Sequence, residues 1–399
     1  MEVAGRATTD ATMQRTRQSA LRFIITIGIV SLFADMTYEG ARSITGPYLG
    51  FLGASATVVG IVSGLGELFG YGIRLVSGWL GDRTQRYWAI TISGYVLNLL
   101  AVPMLALAGS WESAATLIVL ERMGRAIRSP ARDAMLSHAA SHTGLGWGFG
   151  LHEAMDQTGA ILGPLLVSAT LYMQYGYQWA FALLIIPALI SLAMVLTARL
   201  QFPRPRDFDL TPPGLHTSGF RQAYWLYMGA VALIGAGYAD FALIAYHFGH
   251  AAVVSAPLIP ILYAVAMASD AIASLILGYL FDRRGMVVVA VSTAIAAVAS
   301  PLVFLGGGIA AVVGMILWGI GMGAQESIMR AVVAGMTAKD QRGTAFGVLN
   351  AVFGLAWFAG SVLLGVVYDW SVTAVVALSV ALQALALPLL AVIVKRPSA

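Results

Sequence analysis

Cysteine is absent from the 399 residues, so the chain has no disulfide framework, no thiolate metal ligand and no cysteine nucleophile. Lysine is almost absent: Lys339 and Lys395 stand alone, and neither closes a G-x-x-x-x-G-K-[ST] loop, which removes a phosphate cradle of the P-loop kind. Charged residues of both signs make up only 11% of the chain. They are clustered, leaving apolar stretches of about 18 residues or more, enough to cross a hydrocarbon layer of about 30 Å. The hydrophobic share is 59%, more than a soluble core uses. A polytopic all-α membrane protein is expected. Its net charge of +4 follows the connections between apolar runs rather than one surface stripe, which argues against a nucleic-acid partner. No nucleophile, base and orienting group form a discernible set, so neither an enzyme nor a cofactor is expected.

Apolar runs recur over 21–50, 56–81, 87–109, 112–138, 146–173, 178–200, 222–248, 254–281, 287–305, 309–336, 343–368 and 372–394, predicting twelve spans, numbered 1–12 in chain order. Residues 1–20 are polar and carry Arg6, Arg15 and Arg17, and the run behind them lacks a small-residue cleavage site; they read as a tail before a retained first helix. Arginine and lysine collect in that tail, in the even-to-odd connections (Arg83 and Arg86; Arg199 through Arg221; Arg283 and Arg284; Lys339 and Arg342) and at Lys395 and Arg396. The opposite connections carry none. The positive-inside rule then places both termini in the cytoplasm of a cell, most simply at a bacterial inner membrane.

The connection between Arg199 and Arg221 holds Pro203, Pro205, Pro212 and Pro213 at the middle of the chain, so residues 201–221 read as a linker between bundles over 21–200 and 222–394, with 395–399 as a second tail. The halves repeat. Gly78-Trp-Leu-Gly-Asp82-Arg83 returns 200 residues later as Gly278-Tyr-Leu-Phe-Asp282-Arg283, while Phe149-Gly150 and Gly163 return as Phe346-Gly347 and Gly360 at an offset of 197.

On these motifs the chain resembles the major facilitator superfamily over essentially its full length. The loop signature of that family, G-x-x-x-D-R-x-G-R-[RK], is matched by Gly78, Asp82, Arg83 and Arg86, with Gln85 where a glycine is usual, and the second copy keeps Gly278, Asp282, Arg283 and Gly285. The resemblance implies two pseudo-symmetric six-helix bundles and alternating access through a central cavity. It also implies a cytoplasmic latch in which Asp82 meets the start of span 11 near Gly343-Thr344 and a loop arginine pairs with Asp133. A helix N-terminus favours such a negative charge. Span 5 reads Gly150, Gly159, Gly163-Pro164, similar to the family's antiporter signature G-x8-G-x3-G-P-x2-G-G, with Val167 and Ser168 replacing the last glycines. The bland alternative is close packing of small residues and a proline bend.

Ionised groups at mid-membrane are costly and face a cavity or a partner. Of seven intramembrane arginines, Arg42, Arg74, Arg122, Arg125, Arg128 and Arg132 lie in the first half and Arg330 in the second, which makes the first half the more charged wall. Glu121, Arg125, Arg128 and Arg132 form one helical stripe, read either as a Glu121–Arg125 pair with arginines reaching headgroups or as cavity lining. Arg122 or Arg125 resembles the helix 4 arginine linked to proton transfer in the family's antiporters. Asp35 and then Glu39, on one face with Arg42, are the candidate proton sites, with a static charge cluster as the alternative. Glu67, Asp156, Asp240 and Asp270 are further cavity candidates; His152 can touch Asp156, and Glu326 can pair with Arg330. Tyr38, Tyr71, Trp357 and Phe358 can stack on a substrate or simply pack. The pairs His247/His250 and His138/His142 lack carboxylates at ligand spacing, so no metal site is assigned.

The expectation is a transporter that acts as a monomer on a small organic molecule and protons. Antiport is the first reading and import of an organic anion by symport or facilitation the second. A channel or scaffold would not need so many titratable groups inside the membrane.

Overall fold

The computed structural model describes residues 2–140, 145–203, 222–337 and 342–395, and no strand occurs among the described residues. Span 1 is part of a continuous helix Glu2–Phe51. It runs through the expected tail because residues 2–20 hold one glycine and no proline to stop it. Spans 2 to 5 are Ala56–Thr84, Tyr87–Met104, Trp111–Ala140 and Leu145–Tyr172. Span 6 is two helices, Gly176–Leu183 and Ile185–Gln201, separated at Leu184, where the ring nitrogen of Pro187 cannot donate to the preceding turn. Span 7 is likewise broken, into Gln222–Gly237 and Phe241–His250, and the Asp240 carboxylate accepts from the Ala242 amide at 2.8 Å to cap the second piece. Spans 8 to 12 are Leu258–Arg284, Met286–Leu305, Gly308–Met336, Arg342–Tyr368 and Val372–Lys395. Ten spans are long and apolar enough to cross a membrane; spans 4 and 5, equally long, are more polar.

Packing within the halves obeys one scheme. Spans 1–5, 2–4, 3–4, 3–6 and 1–6 pack in the first, and their counterparts 7–11, 8–10, 9–10, 9–12 and 7–12 pack in the second. The halves meet through spans 1–7, 2–11 and 5–8, the pairs a pseudo-twofold axis exchanges. Span 1 begins and span 12 ends at one face, here called the terminal face; the opposite face is distal.

Three apolar cores explain how the bundles sit. Toward the terminal face each half has its own, one around Phe23, Tyr95 and Leu136 and one around Tyr227, Val333 and Leu390. Toward the distal face a single core runs through both halves, including Ile44, Val59, Phe241 and Leu364. The distal seam is tight: a Cβ on Gly46 would collide with the Ala242 carbonyl, and one on Gly60 with that of Ser361. Ser168 Oγ donates to the Pro257 carbonyl at 2.7 Å, and the Asp369 carboxylate accepts from the amides of Ala56 (3.1 Å) and Thr57 (3.0 Å) and from the Thr57 hydroxyl (2.6 Å). Along span 11 the contact ends abruptly, because Gly354 rests on Tyr71 while Gly347, on the same face two turns on, meets nothing. The walls part there, and among the described residues the gap opens toward the terminal face.

Candidate functional site

The parted walls enclose a cavity of about 630 Å³, which reaches from Tyr38, Glu39 and Trp357 at its closed end to Asp133, Leu136 and Phe149 near the terminal face. Among its lining carboxylates and guanidiniums only Asp270, Glu326 and Arg330 come from the second half. The first half supplies the rest, as the arginine distribution predicts. The second half answers with rings: Tyr263, Phe353 and Trp357 line the cavity, Phe353 lying 5.3 Å from Trp357, centroid to centroid.

Most charges of the first half fall into three neighbouring groups. At the terminal end Arg132 binds Asp133 at 2.9 Å, stands 3.9 Å from Asp156 and donates to Ser31 Oγ at 3.1 Å. Ser31 also contacts His152 Nε2 at 2.9 Å, and His152 Nδ1 lies 3.5 Å from Asp156. Deeper, Arg128 is 1% exposed, lies 3.8 Å from Asp35 and stacks over Tyr95. Arg125 stands 3.9 Å from Glu39 with its guanidinium over the Tyr38 ring. Glu39 also faces Arg42 at 4.0 Å and accepts a hydrogen bond from Tyr263 of span 8, linking the two halves. Arg42 also faces Glu67 at 3.8 Å and Asp240 at 3.6 Å. A buried pair is weak in net stability, yet removing one member leaves a stranded charge, so these groups hold spans 1, 2, 4 and 7 in one register.

Of the sequence candidates, Asp35, Tyr38, Glu39, Glu67, Arg125, Asp156, Asp270 and Trp357 do line the cavity. Arg122 and Asp240 do not. The Arg122 guanidinium is taken by Glu67 at 2.6 Å and Glu121 at 3.4 Å, and Asp240 is spent on its cap, on Arg42 and on the Trp357 indole at 3.1 Å. The expected Glu121–Arg125 pair is replaced: Glu121 accepts from Asn98 at 2.7 Å and faces Arg122. Arg128 and Arg132 turn inward to carboxylates instead of reaching headgroups. Glu326 and Arg330, four apart, form no ion pair among the described residues, and both open into the cavity. His247 contacts the Tyr368 hydroxyl at 2.8 Å and His250 stacks on Tyr246; the side chains of His138 and His142 lie outside the described residues.

In the loop motifs, Gly78 faces Pro130 of span 4, and Arg83 and Arg283 each stack on the ring four residues earlier, Trp79 and Tyr279. Asp133 takes Arg132 rather than Arg83 or Arg86, in a state whose terminal face stands open. The side chain of Asp82 lies outside the described residues. Gln85 has φ of 59°, and its counterpart Gly285 has φ of 58°, so the first loop keeps a left-handed bend at the position where glycine is usual. In span 5, Gly159 and Gly163 lie against the Leu32 and Met36 carbonyls of span 1, while Gly150 faces open space.

Sequence reasoning missed Tyr263, Gln325, Asn350 and Phe353, all lining the cavity. Gln325 and Asn350 carry a usable signal, a polar amide inside an apolar run. Tyr263 carries none, since its value lies in reaching Glu39 across the interface.

The comparisons with known proteins agree with this architecture. The family model described as Major Facilitator Superfamily matches residues 24–361 and again 223–399. A protein of Mycobacterium tuberculosis (strain ATCC 25618 / H37Rv), described as uncharacterized, is 41% identical over 380 residues, covering 94% of this chain and 93% of its own. An MFS-type transporter of Methanocaldococcus jannaschii is 29% identical over 186 residues, 46% of each chain. Among solved structures, the nucleoside transporter NupG superimposes with a TM-score of 0.72 at 14% identity, covering 94% of this chain and 99% of that one. The peptide transporter POT in complex with sulfate superimposes with a TM-score of 0.76 at 15% identity, covering 94% of each. At such identities the likeness is one of fold. With twelve spans in two matching bundles around a single charged cavity, the chain belongs to the Major Facilitator Superfamily and is a multi-pass membrane transporter of that type.

Proposed function

We propose that the protein is a secondary active transporter working by alternating access, exchanging a small organic molecule for protons across the cell membrane. With both termini in the cytoplasm, as the arginine distribution has it, the terminal face is cytoplasmic and the structure is the inward-open state. One protomer contains the whole cavity, which supports a monomeric unit.

Glu39 carries the proton reading. Its carboxylate meets Arg42 of its own span, Arg125 of span 4 and the Tyr263 hydroxyl of span 8. Adding a proton removes its charge, loosens both guanidiniums and changes the bond to the opposite half, so proton occupancy and the relation of the halves become linked. Asp35, between Glu39 and the His152–Asp156 pair, is the second proton site and the standing partner of Arg128. The span 5 motif favours exchange and export. Val167 and Ser168, in place of its last glycines, support the second reading, import with a proton, because Ser168 serves the distal seam instead.

The test is lumenal pH in proteoliposomes held at fixed potential by potassium and valinomycin, with a panel of organic anions, zwitterions, sugars and cationic drugs added outside. Alkalinisation as a compound enters, lost in Glu39→Gln and reduced in Asp35→Asn, is the expected result. Acidification means symport. Uptake with no pH change in the parent protein overturns proton coupling.

A further inference from the structure

Resting on the transporter reading, the unpaired charges of the cavity name its substrate class. Among the described residues Arg74 of span 2 and Arg330 of span 10 have no carboxylate within ion-pair distance, although both line the cavity. Arg74 lies against the Tyr71 ring and its Nε is buried without a hydrogen-bond partner. Tyr71 is within electrostatic reach of both guanidiniums. Opposite in sign, Asp270 of span 8 and Glu326 of span 10 line the same cavity without a guanidinium within ion-pair distance; Glu153 of span 5 lies within electrostatic reach of both, and Arg125 and Arg330 within that of Glu326. Asp270 is 2% exposed and accepts a hydrogen bond from the Ser274 hydroxyl at 3.2 Å.

A second observation points the same way. Gln325, 8% exposed and lining the cavity beside Glu326, has its Oε1 without a partner, although its amide nitrogen donates to Gly321 at 3.3 Å. That oxygen is an acceptor, so it adds to the negative end of the cavity a group that an N–H or O–H donor can satisfy.

We infer that the cavity binds a zwitterion, with its anionic group between Arg74 and Arg330 and its ammonium at Asp270, Glu326 and the Gln325 oxygen. A pure anion would leave the acidic group uncompensated, and a pure cation would leave the two arginines so; a dipolar ligand completes both with charge-assisted hydrogen bonds. Glu326 and Arg330 are one helical turn apart, about 6 Å along the axis, so a compact amine-bearing acid reaches both poles. Tyr71 and Phe353, 6.1 Å apart and edge to face, give its carbon skeleton an apolar wall.

The test is thermal-shift titration of the purified full-length protein with two matched sets: phenylalanine, 3-phenylpropanoate and phenethylamine; and 4-aminobutanoate, butanoate and butylamine, each at pH 5.5 and 7.5. In at least one set the dipolar member binds about tenfold tighter or better than either single-charge analogue, the worth of one charged hydrogen bond. Arg330→Gln brings it down to the level of the amine, and Glu326→Gln brings it down to that of the acid. Where either variant fails to fold, Arg330→Met and Glu326→Met, which also remove the charge, serve, with the same selective loss expected. The inference is overturned if no dipolar member binds, if an anion equals its dipolar partner at either pH, or if the variants weaken all compounds alike. A zwitterion that binds but does not cross in proteoliposomes defeats the transport reading alone, whereas transport confined to single-charge compounds defeats this one alone.

Discussion

Gly163 of span 5 lies against the Met36 carbonyl of span 1, and Gly360 of span 11 lies against the Ala236 carbonyl of span 7; the same contact recurs in each half at the repeat spacing. The side chains around the cavity do not recur. Glu39 and Gly40 in the first half stand 200 residues before Ala239 and Asp240 in the second, so one half puts its carboxylate into the cavity and the other puts it behind, under a broken helix. Backbone approach tolerates no added atom, whereas a cavity wall accepts any side chain whose charge is answered. The two halves have therefore kept their packing and diverged in their polarity.

The sharpest way to break that comparison is Asp240→Ala. It takes from Arg42 the nearest of its three carboxylates, uncaps the second piece of span 7 and leaves the Trp357 indole without its acceptor. A loss of about 2–4 kcal/mol is expected, from the lost cap, the unpaired indole and a buried guanidinium left with its two more distant carboxylates. Loss of monodisperse protein on heating in detergent measures it. Adding Arg42→Ala should cost less than it does alone, because the Arg42–Asp240 contact is already gone and contacting residues are not additive. A double variant as unstable as the sum of the singles would show that the cap, not the charge, matters.

The packing side is tested by four glycines. Gly163→Ala and Gly360→Ala each force backbones apart and should cost about 1–3 kcal/mol, to similar extents. Gly150→Ala and Gly347→Ala, facing open space, should be neutral or gain up to about 1 kcal/mol from helix propensity. Melting curves separate the two pairs. If Gly150→Ala melts normally but transports poorly, the span 5 motif acts in the transport cycle beyond the close packing seen here.

Much of this was legible from spacing. Span number, the duplication and the charged first wall follow from hydropathy, offsets and arginine positions, because each is a property of one segment or of two compared. The stripe on span 4 was legible as a stripe, yet its partners were not: Glu121 turns to Asn98 on span 3, Arg125 to Glu39 on span 1 and Arg128 to Asp35. Those choices depend on which spans cross at which depth. Tyr263 was invisible for the same reason, and so was the role of Asp369, which sits in a short connection that no motif covers.

Asp369 also marks where the halves differ at the distal seam. At one corner its carboxylate caps span 2 with three hydrogen bonds, and at the pseudo-equivalent corner a single hydroxyl, Ser168, donates to Pro257 at the start of span 8. Partial burial pushes the Asp369 carboxyl up, but the hydrogen bonds from Thr57 and Ala56 outweigh it and hold the group below its ordinary value of 3.8. A depressed acid gives its full stabilisation above that ordinary value and loses it only as pH falls through the lower, folded one. The seam should therefore be indifferent to pH between 7.5 and 5. Asp369→Asn should weaken closure by about 1 kcal/mol, a several-fold rise in the distal-open population, and Ser168→Ala should do less. Because the chain has no native cysteine, spin labels on engineered cysteine pairs across the seam can read that population directly. Equal effects from the two variants would make the seam symmetric after all, and acid opening near pH 5 in the parent would point to a titrating group other than Asp369.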